Sequence, residues 1–230
     1  MLRPRGSGKK TILTLIFIGM TNSPPDIVAI GASAGGLEAL EKLLLQLPRE
    51  LPAAIVIALH RPVERTSYLA EILARLVKMP VVIPKEGELL ERGNCYIGLP
   101  GRHLTVGPNA KAHLLPDGFY RVHSIHALFQ SLARHAGERT IGVVLSGMLK
   151  DGSLGLRAIK EAGGVTLVQS PHDAAYPEMP QNAIAYDGAI DFIGPVDAIA
   201  EEICRRVGVA PMAAATAATS KPLLRRPSGP

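Results

Sequence analysis

Three short stretches of the 230-residue sequence carry side chains suited to hydrolytic chemistry. Gly31-Ala32-Ser33-Ala34-Gly35-Gly36 follows one apolar run, His60 ends a second, and Asp151 stands a few residues beyond a third. A serine hydroxyl is a poor nucleophile at neutral pH and needs a positioned base to take its proton during attack. An imidazole supplies that base, and a carboxylate fixes its tautomer and stabilises the imidazolium. Gly31-x-Ser33-x-Gly35 fits a nucleophile elbow, where small neighbours permit a tight strand-to-helix turn that exposes the hydroxyl. The helix that follows offers its N-terminal dipole and free N–H groups to a developing oxyanion, with Ala34 N–H as the natural first donor.

Each piece also has an ordinary explanation. Small residues between a strand and a helix make a tight connection, and the same loop resembles a dinucleotide cradle. Against the cradle, Ser33 stands at the second glycine of G-x-G-x-x-G, and His60 stands where an acid for the ribose is expected. A histidine after a strand is commonly structural, and Asp151-Gly152 reads equally as a turn or helix cap. Their coincidence at the same kind of strand end is what favours a triad. His123 and His126, at i and i+3, suit a metal-binding helix face but have no evident third ligand, so no metal is expected. Cys95 reads as a small packed hydrophobe, and His103, His113, His135 and His172 receive no role.

The elements that must position these residues alternate. Asp26–Ile30, Ala53–Leu59, Thr140–Leu145 and Val165–Val168 are short apolar runs of buried-strand type. Leu37, Leu40, Leu43, Leu44 and Leu47 recur at helical spacing until Pro48, and further helices are expected over Tyr68–Val77, Ser124–Ala136, Gly152–Ala162, from Asn182 and from Val196. Val81–Ile83 and Cys95–Ile97 read as short strands, and His103–Val106 with Ala112–Leu115 as a hairpin around Gly107-Pro108-Asn109. Continuous apolar strands alternating with helices predict an α/β fold: a doubly wound, mostly parallel sheet, helices on both faces, an antiparallel hairpin inserted, in one domain. In such sheets ligands bind at the carboxyl ends of the strands, where Ser33, His60 and Asp151 all fall.

Composition narrows the function classes. Hydrophobic residues make up 47% and charged residues 20%, the content of a globular chain, while aromatics are 4% and Trp is absent. Aromatic platforms for single-stranded nucleic acid are therefore not expected. The net charge of +5 belongs to the ends. Arg3, Arg5, Lys9 and Lys10 precede residue 21 without an acid, and Lys221, Arg225 and Arg226 follow residue 208 without one. The remaining 18 basic residues meet all 20 acids, so residues 21–208 carry a net −2, with no basic stripe for a nucleic acid. Residues 1–25 read as an N-terminal extension whose ten-residue apolar stretch, 11–20, is too short to span a bilayer, which takes about 20. It has the start of a secretory leader but no A-x-A site, and Met20 is an alternative start of translation. Residues 26–207 form the expected domain and 208–230 a flexible basic tail. Two cysteines without a CxxC fit a reducing compartment.

Taken together, Ile30–Gly36 (IGASAGG), Leu59-His60-Arg61-Pro62, Tyr96–Pro100 (YIGLP), His135-Ala136-Gly137, Leu145–Gly152 (LSGMLKDG) and Tyr176–Ile184 (YPEMPQNAI) resemble the catalytic domain of the chemotaxis protein-glutamate methylesterases, the CheB-type family. The likeness runs over residues 26–207 in order. It implies a doubly wound sheet, Ser33, His60 and Asp151 as catalytic residues, and the backbone at Met148 on the rim of the site. It further implies a cytoplasmic, cofactor-independent hydrolase that demethylates glutamate methyl esters on chemoreceptor cytoplasmic helices, often also deamidating glutamines. No nucleic acid and no membrane insertion are expected.

Three features depart from the family pattern. Only 25 residues precede Asp26, too few for a receiver domain of about 100, so an enzyme that is constitutive, or controlled by a partner such as a receptor methyltransferase or a separate response regulator, is expected. Ala34 stands where the family often has Thr. In Arg121–Phe129, Val122, His123 and His126 replace the family's Arg, Pro and Asp. Two other readings stay open: a non-catalytic module docking in a signalling array, its cleft blocked by that altered segment, and a small-molecule esterase.

Overall fold

The structure, a computed structural model, describes residues 26–60, 68–116, 123–186, 188 and 190–211. The N-terminal extension, most of the tail, Arg61-Pro62 and Arg121-Val122 lie outside the described residues. In chain order the elements are β1 (Asp26–Ala32), α1 (Gly36–Gln46), β2 (Ala53–Leu59), α2 (Leu69–Leu76), β3 (Val81–Val82), β4 (Cys95–Ile97), β5 (Arg102–Gly107), β6 (Lys111–Pro116), α3 (Ser124–His135), β7 (Thr140–Val144), α4 (Ser153–Glu161), β8 (Val165–Gln169), α5 (Glu178–Ala185), β9 (Phe192–Gly194) and α6 (Val196–Arg206).

Seven strands form one sheet in the order β3-β4-β2-β1-β7-β8-β9, and its pairings are all parallel. The chain builds outward from β1 on one side, then returns to build outward on the other through β7. The strand order therefore reverses between β1 and β7, the point beyond whose carboxyl ends such sheets bind ligands. The antiparallel pair β5–β6 is a separate two-stranded sheet.

Alternation along each strand sorts its side chains between two cores. Val28, Ile30, Ile55 and Ile57 pack with Leu40, Leu43 and Leu44 of α1, Leu73 of α2 and Ile199 and Ile203 of α6. Ile27, Ala29, Ala54 and Val56 point the other way, among Ile125, Leu128 and Phe129 of α3, Ile159 of α4 and Val106 of β5. The hairpin is held there too, since Val106 N–H donates to Ser131 Oγ of α3 at 3.0 Å.

Two elements differ from the expectation. Helix α5 begins at Glu178 rather than Asn182, because Pro180 falls in its first turn, where a missing N–H breaks no helical hydrogen bond. The strand β9 had no apolar run to announce it; it forms because its backbone completes the edge of β8.

One glycine at the strand ends is a matter of space. A Cβ on Gly31 would lie 2.3 Å from Ile125 Cγ2. The bare backbone thus lets the first turn of α3 sit directly on the end of β1.

Candidate active site

The register of the parallel sheet does most of the positioning. Ala32 of β1 pairs with Leu59 of β2, so the next residues, Ser33 and His60, leave adjacent strand ends, about 4.8 Å apart. Both continue the alternation of Ile27, Ala29 and Ala54, Val56, which places them on the α3 side of the sheet. On the other flank Gly31 pairs with Val144, which puts Ser146 level with Ser33, and Ser33 N–H donates to Ser146 O at 3.0 Å.

Ser33 Oγ lies 3.1 Å from His60 Nδ1, and His60 Nε2 lies 2.8 Å from Asp151 Oδ2. A carboxylate only accepts, so the proton of neutral His60 sits on Nε2 and Nδ1 is left to accept from the Ser33 hydroxyl. The two ring nitrogens thus exchange the duties they have in the serine-protease triad. His60 is partly open to solvent, with 30% of its side chain accessible, whereas Asp151 retains 3%.

Asp151 is held by the helix it faces. Its Oδ2 also accepts Ile125 N–H at 3.0 Å and its Oδ1 accepts His126 N–H at 3.0 Å. These are the second and third residues of α3, whose own N-cap residue, His123, makes no side-chain cap. The carboxylate therefore caps a helix remote in sequence and takes the favourable end of its dipole.

His123 and His126 therefore flank Asp151. His123 Nδ1 is 3.8 Å from Asp151 Oδ1, and the described residues contain no group of three or more His, Cys, Asp or Glu arranged for a metal. Burial pushes the His126 ring below its ordinary 6.5, opposed by the Asp151 carboxylate and reinforced by His123. Below 6.5 the unfolded chain binds a proton here that the folded chain resists, so this group costs stability as pH falls through that value. The melting temperature of His126→Leu is expected to fall less between pH 8 and pH 5 than that of the parent. Equal falls in a thermal melt would refute this.

The loops around Ser33, His60 and Asp151 supply donors. The carbonyl of Ser33 accepts Gly36 N–H at 2.9 Å, and that of Gly147 accepts Met179 N–H at 2.9 Å. Across a trans peptide the N–H points opposite to the carbonyl, so Ala34 N–H and Met148 N–H face away from these anchors. Neither has a partner among the described residues. Within the elbow the left-handed residue is Gly35, at φ 66°, and Ser33 is not among the residues of positive φ. Backbone strain falls instead at Leu149, φ 66°, whose carbonyl is held by Asn182 Nδ2 at 2.8 Å. Such a conformation costs about 1–3 kcal/mol and bends the chain between Met148 and Asp151.

Met148, Leu149 and Tyr176 are exposed large side chains carried by these loops. Sequence reasoning gave no role to Tyr176, Gln169 or Ser146, which the structure places beside Ser33; Ser146 and Tyr176 lie in stretches that carry the family resemblance, and that was the signal available.

Comparison with known proteins bears on the family and the fold. The CheB methylesterase family model matches residues 28–203. Protein-glutamate methylesterase/protein-glutamine glutaminase 3 of Geobacter sulfurreducens is 38% identical over 190 residues, covering 80% of this chain and 51% of its own length. The enzyme numbered 6 from Anaeromyxobacter dehalogenans is 39% identical, covering 76% of this chain and 53% of its own. The chain thus spans about half the length of the curated relatives it matches. Among solved structures, the Thermotoga maritima CheB methylesterase catalytic domain superposes with a TM-score of 0.71 at 28% identity, covering 79% of this chain and 98% of that one.

Proposed function

We propose, from the premise that this chain belongs to the CheB methylesterase family, that it is a serine hydrolase of glutamate γ-methyl esters in a protein. Residues 26–207 make up its catalytic unit, and chemoreceptor cytoplasmic helices are its substrate. The observation that carries the reading is the unbroken contact chain from Ser33 through His60 to Asp151 at the carboxyl ends of the strands beside the switch point.

The steps follow from the contacts. Ser33 Oγ adds to the ester carbonyl as His60 Nδ1 takes its proton, and Asp151 stabilises the imidazolium through Nε2–H. The N–H groups of Ala34 and Met148 hold the oxyanion of the tetrahedral intermediate. Collapse expels the methoxy group, which takes the proton from His60 and leaves as methanol, with a glutamyl ester on Ser33. Water then adds as His60 takes a proton again, and the second collapse frees the glutamate carboxylate and restores Ser33. A glutamine side chain enters the same path with ammonia as the leaving group. No cofactor enters any step. A protein substrate suits the exposed Met148, Leu149 and Tyr176, since apolar rims mark contact surfaces. No helix among the described residues is long and apolar enough to cross a membrane, and we place the enzyme in the cytoplasm with its receptor tails.

The test is release of labelled methanol from a methylated receptor cytoplasmic fragment, with a fluorophosphonate to label Ser33. Methanol release with labelling is the expected result. Cleavage of p-nitrophenyl esters without methanol release would make the chain a small-molecule esterase. Neither labelling nor release would make it a docking module.

A further inference from the structure

Ser146 has no place in the triad, yet every polar group it owns is engaged. It is fully buried. Its N–H donates to Gln169 Oε1 at 2.8 Å, and its carbonyl accepts Ser33 N–H at 3.0 Å. Its hydroxyl accepts Tyr176 N–H at 2.9 Å and donates to the carbonyl of Ala34 at 3.0 Å. Gln169, itself 2% exposed, is fixed in turn: its Nε2 donates to Asp173 Oδ2 at 2.9 Å, and that carboxylate accepts Val196 N–H from α6 at 3.1 Å. The hydroxyl therefore stands on rigid ground, and it reaches the turn that carries the nucleophile.

That turn has a nearby alternative. Ser33 O accepts Gly36 N–H, and Gly35 at φ 66°, ψ −1° occupies the third position of a type II turn. Rotating the middle peptide, Ala34–Gly35, by half a turn converts type II to type I and keeps the closing hydrogen bond. A glycine at position 35 makes both forms sterically accessible. What distinguishes them here is the Ala34 carbonyl, which meets the Ser146 hydroxyl in the observed form and loses it in the other.

We propose that Ser146 is a positioning residue for the nucleophile: its hydroxyl latches the Ala34–Gly35 peptide and its carbonyl fixes Ser33 N–H, so the peptides on both sides of the Ser33–Ala34 unit are held and Ala34 N–H is aimed at the oxyanion in one direction. The inference rests on the reading of Ser33, His60 and Asp151 given above. It explains why a fully satisfied polar cluster is kept where apolar packing would otherwise serve. Because an oxyanion forms only on the way to the transition state, loosening the latch weakens that state and spares the ground state.

The experiment is steady-state kinetics and fluorophosphonate labelling of Ser146→Ala and Ser146→Thr beside the parent enzyme. Removing the hydroxyl leaves the Ala34 carbonyl and Tyr176 N–H without their partner, so kcat is expected to fall on the order of 10- to 100-fold. KM stays within about twofold, and the labelling rate of Ser33 falls in proportion to kcat. Ser146→Thr keeps the hydroxyl and recovers most of the loss. An unchanged kcat in Ser146→Ala, a rise in KM at constant kcat, or equal losses in both variants at matched melting temperature would overturn the latch. Should Ser146→Ala fail to fold, Ser146→Cys, with similar volume and a weaker donor, is read the same way. A parent enzyme that neither labels nor releases methanol overturns the underlying reading, and the latch with it; an active parent beside an indifferent Ser146→Ala overturns the latch alone.

Discussion

Replacing Ser33 with alanine is expected to lower kcat for methanol release by about 10⁴- to 10⁶-fold, in line with nucleophile removal from other triads. The rest of the protein should barely register the change. Ser33 anchors its loop through its backbone, with N–H on Ser146 O and carbonyl on Gly36 N–H, and neither bond uses the hydroxyl. The side chain's own hydrogen bond is the one to His60. Loss of that bond at a partly open ring costs about 0.5–1.5 kcal/mol, which moves the melting temperature of a domain this size by only a few degrees. The variant therefore separates chemistry from folding: activity and fluorophosphonate labelling vanish while the thermal melt stays near the parent's. Hydrolysis of methylated receptor by Ser33→Ala at the parent rate would remove Ser33 from the mechanism.

The placement of Ser33 and His60 is partly legible in the sequence. Asp26–Ile30 and Ala53–Leu59 are continuous apolar runs, which only a sheet covered on both faces can bury, so Ser33 and His60 had to leave the carboxyl ends of buried strands. Their adjacency depends on the register of β1 against β2, which no local pattern encodes. The sequence reads Asp151 as a turn or a cap on one side and a triad member on the other; the structure shows a cap and a contact with His60, and the helix it caps begins at Ser124, 27 positions earlier. A cap at that separation has none of the spacing that makes local caps recognisable. The choice of His60 nitrogen, the left-handed Leu149 and the extra strand β9 were likewise settled by tertiary contacts rather than by propensity. The resemblance implies the Met148 backbone at the rim, whereas the exposure of the Met148, Leu149 and Tyr176 side chains is read from structure alone, since single apolar residues in a loop carry no periodicity.

The double duty of Asp151 makes Asp151→Asn the informative counterpart to Ser33→Ala. An amide has one acceptor and one donor end where the carboxylate has two acceptors. If the amide nitrogen turns toward His60, it needs an acceptor at Nε2, which moves the ring proton to Nδ1. Nδ1 then cannot take the proton of Ser33, and kcat is expected to fall by about 10⁴-fold, as an aspartate-to-asparagine change does in a serine-protease triad. In that orientation the nitrogen also faces Ile125 N–H, which bonds the same oxygen; if the nitrogen turns the other way, it confronts His126 N–H, donor against donor at a site with 3% accessibility. An unsatisfied buried group of this kind costs about 1–3 kcal/mol, and the lost anion at the N-terminus of α3 adds about 0.3–1 kcal/mol. Neither orientation serves both partners. The variant is therefore expected to lose activity and stability together, its melting temperature falling by about 2–10 °C, where Ser33→Ala loses activity with little change in its melt. Kinetics and calorimetry on the same preparations decide the matter: Asp151→Asn retaining kcat within tenfold of the parent would show that His60 is oriented by something else.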